Sequence, residues 1–233
     1  MKKGFTLVEL SIVLVIIGLL VGGILAGQSM VRAANLHAFI EKMTGLEVAI
    51  DNFKLNTKQL PGDSNLMPIK GNNDGYVKDY YSNDDYLQGE VGLVWVHLGE
   101  TEMLPQTYTR ISSNSTIPQY DVHVPKIDYG EIDAGVVMLT PLNSTDPHYQ
   151  DQVLWVSHFP ESGTNSTWGG ACTGCAYPFT PKQVLAYDLK VDDGLPDSGD
   201  VRPASYAEVG QAGASCKTGG AYVVSDSTAV SYT

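Results

Sequence analysis

The chain has 233 residues, enough to bury one substantial core beside a helical anchor, and nothing in its length demands a second globular domain. Lys and Arg total 14 against 26 Asp and Glu, a formal net charge of −12, and the acidic excess lies beyond residue 60. That balance argues against nucleic acid as a main partner, because phosphate binding needs a basic surface.

From Phe5 to Gln28 the sequence reads FTLVELSIVLVIIGLLVGGILAGQ, with Glu9 as its one charged side chain. A membrane-spanning helix needs about 20 mostly apolar residues, so the segment is long enough to cross a bilayer. Lys2 and Lys3 precede it and place its amino end on the cytoplasmic side. A secretory signal would be removed after a small-residue site, for which Ala26 and Gly27 offer a faint version, and a simple anchor is the other plain reading. Neither accounts for Glu9, since a carboxylate in an apolar helix costs about 2.5 to 3.5 kcal/mol at mid-bilayer, less toward the interface. Gly18 with Gly22, and Gly23 with Gly27, form small-xxx-small pairs that let helix backbones approach closely.

Gly4, Phe5, Thr6, Leu7, Val8 and Glu9 spell GFTLVE, which resembles the leader signature of type IV prepilins and of type II secretion pseudopilins. The resemblance implies cleavage between Gly4 and Phe5 by a membrane prepilin peptidase and methylation of the new amino terminus. It also implies that Glu9 is an assembly residue whose carboxylate meets the terminal amine of a neighbouring subunit, a pairing that offsets part of the desolvation cost and fixes axial register. Ala26 stands where many pilins carry proline.

Beyond Gln28 the apolar residues Leu36, Phe39, Met43, Leu46, Ile50 and Phe53 recur at spacings of 3, 4, 3, 4 and 3, with Arg32, Glu41, Lys42, Glu47 and Asp51 largely outside the stripe. This is an amphipathic helix with one face meant for a core. Pro61 and Gly62, in Leu60-Pro-Gly-Asp63, mark its end. The segments GGILAGQ and LPGD resemble a group of prepilin-type proteins with large heads.

In the head, Gly71 to Gly75 reads as a loop and Glu90 to Leu104 as a helix with Val91, Val94, Trp95 and Leu98 buried. Thr180 and Pro181 supply a cap and a first-turn proline for a helix running on to Lys190. Strand-like runs lie at 135–140, 152–158 and 221–232. The expected fold is α+β: a long hydrophobic-then-amphipathic helix packed on an antiparallel sheet, in the manner of a pilin. The expected divisions are a leader at 1–4, a membrane or filament-core helix at 5–28, an amphipathic helix at 29–59 and a head at 60–233.

Asp192, Asp193, Asp197 and Asp200 place four carboxylates in nine residues, and the run resembles an IDDGxPxxG loop of the same pilin-like group. Such a set suits calcium, which takes six to eight oxygens, and its Asp, Gly, Pro and Ser equally suit a tight turn without a metal. No other cofactor is indicated. Cys172, Cys175 and Cys216 are an odd set, and the expectation is one structural disulfide from Cys216 to either Cys172 or Cys175. The five histidines, at 37, 97, 123, 148 and 158, make no ligand spacing, and His97 reads as a packed residue. No nucleophile motif or phosphate loop is present, so an enzyme is not expected. Asn114, Asn143 and Asn165 begin glycosylation triplets, which a bacterial-type leader makes irrelevant.

The resemblance implies an inner-membrane precursor that becomes a subunit of a pilus or related filament at the cell surface, with like subunits or other pilins as partners. A minor pilin with a binding head and a secretion pseudopilin are the alternatives.

Overall fold

A computed structural model describes residues 6–78, 89–111, 118–129, 133–140, 151–157, 179–202 and 217–222. Its elements are α1 (Leu7–Thr57), α2 (Glu90–Glu100), β1 (Lys126–Ile127), β2 (Ala134–Leu139), β3 (Val153–Ser157), α3 (Pro181–Val191), β4 (Lys217–Thr218) and β5 (Ala221–Tyr222). The α+β expectation, a long amino-terminal helix with an antiparallel sheet, is met.

Two compact units divide the chain, Met1–Ala38 and Phe39–Thr233. In the first, α1 is apolar on all sides. Every large apolar side chain from Leu7 to Val31 is between 50 and 86% exposed. Burying each would yield about 1.5 to 3 kcal/mol, so tens of kcal/mol await a lipid or protein partner. This is one helix long and apolar enough to cross a membrane. It continues without a break through Ala26.

In the second unit the stripe residues Phe39, Met43, Leu46, Ile50 and Phe53 are buried, as their helical spacing predicts. Phe39 stacks on Tyr129 with ring centroids 4.8 Å apart, and Tyr187 meets it edge-on at 4.7 Å. The three-stranded sheet has the order β1-β2-β3 and is antiparallel throughout, with Val136 opposite Val156 and Met138 opposite Leu154. Residues 134–138 of β2 are all buried, and α2 packs against that strand. A second, two-stranded antiparallel sheet joins β4 to β5.

Three local expectations are corrected at their edges. The helix expected to reach Leu104 stops at Glu100. Thr101 caps it by bonding the His97 carbonyl through its hydroxyl at 2.7 Å, and the Leu98 carbonyl accepts from both Met103 N and Leu104 N. The strand expected at 135–140 is observed one residue earlier, at Ala134–Leu139, and the one expected at 152–158 starts one residue later, at Val153, and runs to Ser157, with residue 158 outside the described residues. Of the run 221–232, only Ala221–Tyr222 falls within the described residues. The helix begun by Thr180 and Pro181 forms as read. The Thr180 hydroxyl accepts from Gln183 N, and the Gln183 side chain returns a bond to Thr180 N at 2.8 Å, a full capping box.

Candidate functional site

The amino end of α1 carries a capping box of its own. Glu9 Oε2 accepts from both Thr6 N and Thr6 Oγ1 at 2.8 Å, and Thr6 Oγ1 accepts from Glu9 N at 3.3 Å. A free helix end leaves its first N–H groups without partners, and an acid in the first turn also meets the positive end of the helix dipole. The carboxylate is thus satisfied inside a single chain. The sequence reading places Thr6 only within the leader signature, although Thr6-Leu-Val-Glu9 also spells the T-x-x-E pattern of such a box. A Cβ added at Gly18, Gly22, Gly23 or Gly27 would meet nothing within 4 Å, so these glycines form open, shallow notches on the helix. Gly4 and Phe5 lie outside the described residues.

In the head, the LPGD turn is held by side chains far along the chain. Gly62 has φ +89°, and its N–H donates to His97 Nδ1 at 3.0 Å. That bond makes Nδ1 an acceptor, so the proton sits on Nε2, which donates to the Ile69 carbonyl at 2.7 Å. His97 is fully buried and its pKa is lowered by that burial. It is a packed, neutral ring, as the apolar pattern around it predicts.

Asp63 closes the following loop. Its carboxylate accepts from Asp74 N at 3.0 Å and Gly75 N at 2.9 Å, and its carbonyl accepts from Asn73 N at 2.8 Å. Glu90 Oε1 takes Asn72 N at 2.9 Å, and burial raises the Glu90 pKa. Carboxylate oxygens of Asp63, Asp74 and Glu90 come within 4.8 Å of one another. Backbone N–H groups occupy these acids and Lys78 pairs with Asp74, so the group works as a clamp on the 71–75 loop.

The acidic run after α3 is also closed by its own bonds. Asp192 accepts from Asp200 N and Val201 N, and Asp193 accepts from Leu195 N at 2.8 Å and from the Ser198 hydroxyl. Buried Asp188 accepts from Tyr222 OH at 2.6 Å and from Gly194 N at 2.9 Å, and its burial raises its pKa. The carboxylates within 4.8 Å here are Asp188, Asp192 and Asp193, a different set from the four read as calcium ligands; Asp197 and Asp200 stand outside it. This donor set suits a tight turn. Each of Asp188, Asp192 and Asp193 already carries backbone or hydroxyl donors where calcium would need free oxygens. Cys172, Cys175, Cys216, His148, His158 and the three Asn triplets fall outside the described residues.

Residues 1–25 match the family described as the prokaryotic N-terminal methylation motif. No curated protein and no solved structure matches the chain. The chain therefore carries a prepilin-type cleavage and methylation motif at its amino end, of the kind borne by type IV pilin-like and pseudopilin proteins, followed by a membrane-length apolar helix.

Proposed function

We propose that this chain is a structural subunit of a type IV pilus or a related filament, cut between Gly4 and Phe5 by prepilin peptidase and methylated on Phe5. The observation that carries the reading is the exposed apolar part of α1 directly following the methylation motif. Before assembly the helix rests in the inner membrane. In the filament, helices of like subunits or other pilins replace the lipid, and Glu9 meets the terminal amine of a neighbour.

Mass spectrometry of sheared surface material tests the processing: a chain beginning at methylated Phe5 is expected, and a terminus near Ala26 would overturn the reading. Abundance in the same material separates a principal subunit from a minor one. Glu9→Val is expected to leave cleavage intact while filament incorporation falls by about tenfold or more, matching the loss of one low-dielectric charge contact. Glu9→Gln retains an oxygen for the Thr6 box and is expected to fall between the two. Full incorporation of Glu9→Val would remove the assembly role.

A further inference from the structure

Two turns in the head share one arrangement. The sequence holds two Asp-Gly steps, Asp74-Gly75 and Asp193-Gly194, and no Asn-Gly step. In each the glycine has a positive φ, +89° at Gly75 and +75° at Gly194, a conformation that other residues adopt only with strain. In each the acid also makes an Asx turn: Asp74 Oδ1 accepts from Tyr76 N at 3.1 Å, and Asp193 Oδ1 accepts from Leu195 N at 2.8 Å. The turns therefore call for the very dipeptide that is most prone to rearrange.

An Asp-Gly step rearranges without an enzyme, because glycine leaves its nitrogen unhindered. The nitrogen, once deprotonated, attacks Cγ of the aspartate, and a new N–Cγ bond closes a succinimide ring. The N–H proton and a carboxyl hydroxyl leave as water. Water then opens the ring at either carbonyl. Opening at Cγ restores aspartate, and opening at the former backbone carbonyl leaves the chain running through the side chain, as isoaspartate. One water leaves and one enters, and nothing else is consumed.

Both glycine nitrogens are engaged by the same kind of partner. Gly75 N–H donates to Asp63 Oδ2 at 2.9 Å, 12 residues away, and Gly194 N–H donates to Asp188 Oδ1 at 2.9 Å, 6 residues away. Asp63 is 1% exposed and Asp188 0%. A buried carboxylate on the N–H opposes its deprotonation, since the resulting anion would face a second negative charge with little water between them. The bond also fixes the direction of the nitrogen, so attack must wait for the turn to open. The acids under attack are tied as well, Asp74 by Lys78 and Asn72 and Asp193 by the Ser198 hydroxyl. Donors of this kind favour the carboxylate form, which has no hydroxyl to lose.

We propose that Asp74 and Asp193 are latent isoaspartate modification sites, each held shut by a buried carboxylate, Asp63 for the first and Asp188 for the second. The acid of the LPGD turn then protects the chain chemically as well as shaping the 71–75 loop. The assignment holds whatever the chain assembles into.

The test incubates the full chain in nonionic detergent at neutral pH, folded or in urea. Electron-transfer fragmentation of its peptides locates isoaspartate, and labelling with protein isoaspartyl methyltransferase measures its amount. Both sites are expected to rearrange in urea, and at least about tenfold more slowly in the folded wild type. Asp63→Asn and Asp188→Asn keep the size of the guarding side chain and remove its charge. Exchanging a charged acceptor for a neutral one is expected to speed rearrangement about five- to tenfold at the site that it guards, while the other site keeps its wild-type rate. The untouched site thus reports that the variant is still folded. Equal rates in folded and unfolded wild type, an unchanged rate at the guarded site in either variant, or a variant that speeds both sites alike would overturn the proposal.

Discussion

Replacing His97 with Leu tests whether one buried imidazole holds the LPGD turn to α2. The substitution keeps an apolar side chain against Phe53, whose ring lies 6.2 Å from that of His97, but removes both polar atoms. The Gly62 N–H then loses its acceptor in a buried position, a cost of about 1 to 3 kcal/mol. The Ile69 carbonyl, bonded at a part-buried site, recovers water and adds at most about 1 kcal/mol. A loss of about 1 to 4 kcal/mol is expected.

The pH dependence gives a second, sharper signature. The folded pKa of His97 lies below its usual 6.5, so the unfolded chain binds the proton better and His97 stabilises the fold fully only above that value. As pH falls from 6.5 toward the folded pKa, wild-type stability relative to His97→Leu is expected to shrink by up to about 1.4 kcal/mol per pH unit. Comparing the two proteins cancels the groups they share, among them Glu90, Asp188 and His123. Urea unfolding followed by tryptophan fluorescence, in nonionic detergent from pH 5 to about pH 8, measures both quantities. A difference below about 1 kcal/mol, or one that is flat with pH, would refute the tautomer and the lock.

Gly62→Ala places a Cβ 2.5 Å from the Glu90 carbonyl oxygen on a backbone with φ +89°, so a destabilisation above about 2 kcal/mol is expected in the same unfolding assay. Tolerance of Ala there would mean that the turn does not approach α2. Thr180→Ala is expected to cost about 1 kcal/mol and to speed amide exchange in the first turn of α3, while Thr180→Ser stays near wild type. Equal exchange in the Ala variant would show that the capping box contributes nothing.

Features written in contiguous residues were legible in the sequence. The stripe from Phe39 to Phe53 repeats with the helical period, and Thr180-Pro181 states its cap in two letters. What was hidden depends on distant partners. LPGD reads as a turn, but the bond from Gly62 to His97 spans 35 residues, and Asp63 reaches 11 and 12 residues ahead to Asp74 and Gly75. The cluster of Phe39, Tyr129, Phe179 and Tyr187 rings joins three separate stretches of the chain, so no short window contains it. Strands β1 and β4, two residues each, are too short to carry an alternation. The end of α2 was missed because Thr101 stops it through side-chain and backbone bonds that periodicity does not encode. The Thr6 cap is the opposite case: Thr6-Leu-Val-Glu9 states it in contiguous residues, within the same letters that spell the leader signature.

The Thr6 cap bears on how Glu9 would act in assembly. A carboxylate with no partner in an apolar helix would seek a neighbour's amine to escape an unpaired state, and Glu9 would then drive association. Glu9 instead starts with two 2.8 Å bonds from Thr6. A neighbour's amine must compete with those bonds and must itself be desolvated, so the net gain from the pair is small compared with its Coulomb attraction. The large favourable contribution in the proposed filament then comes from contacts along the exposed apolar surface between Leu7 and Val31 and from close approach at the glycine notches. Apolar contacts are nearly indifferent to axial sliding, whereas a charge pair is satisfied at one register only. On this division of labour the apolar helix would supply the affinity of the proposed filament, and Glu9 would select which of many similar packings it adopts.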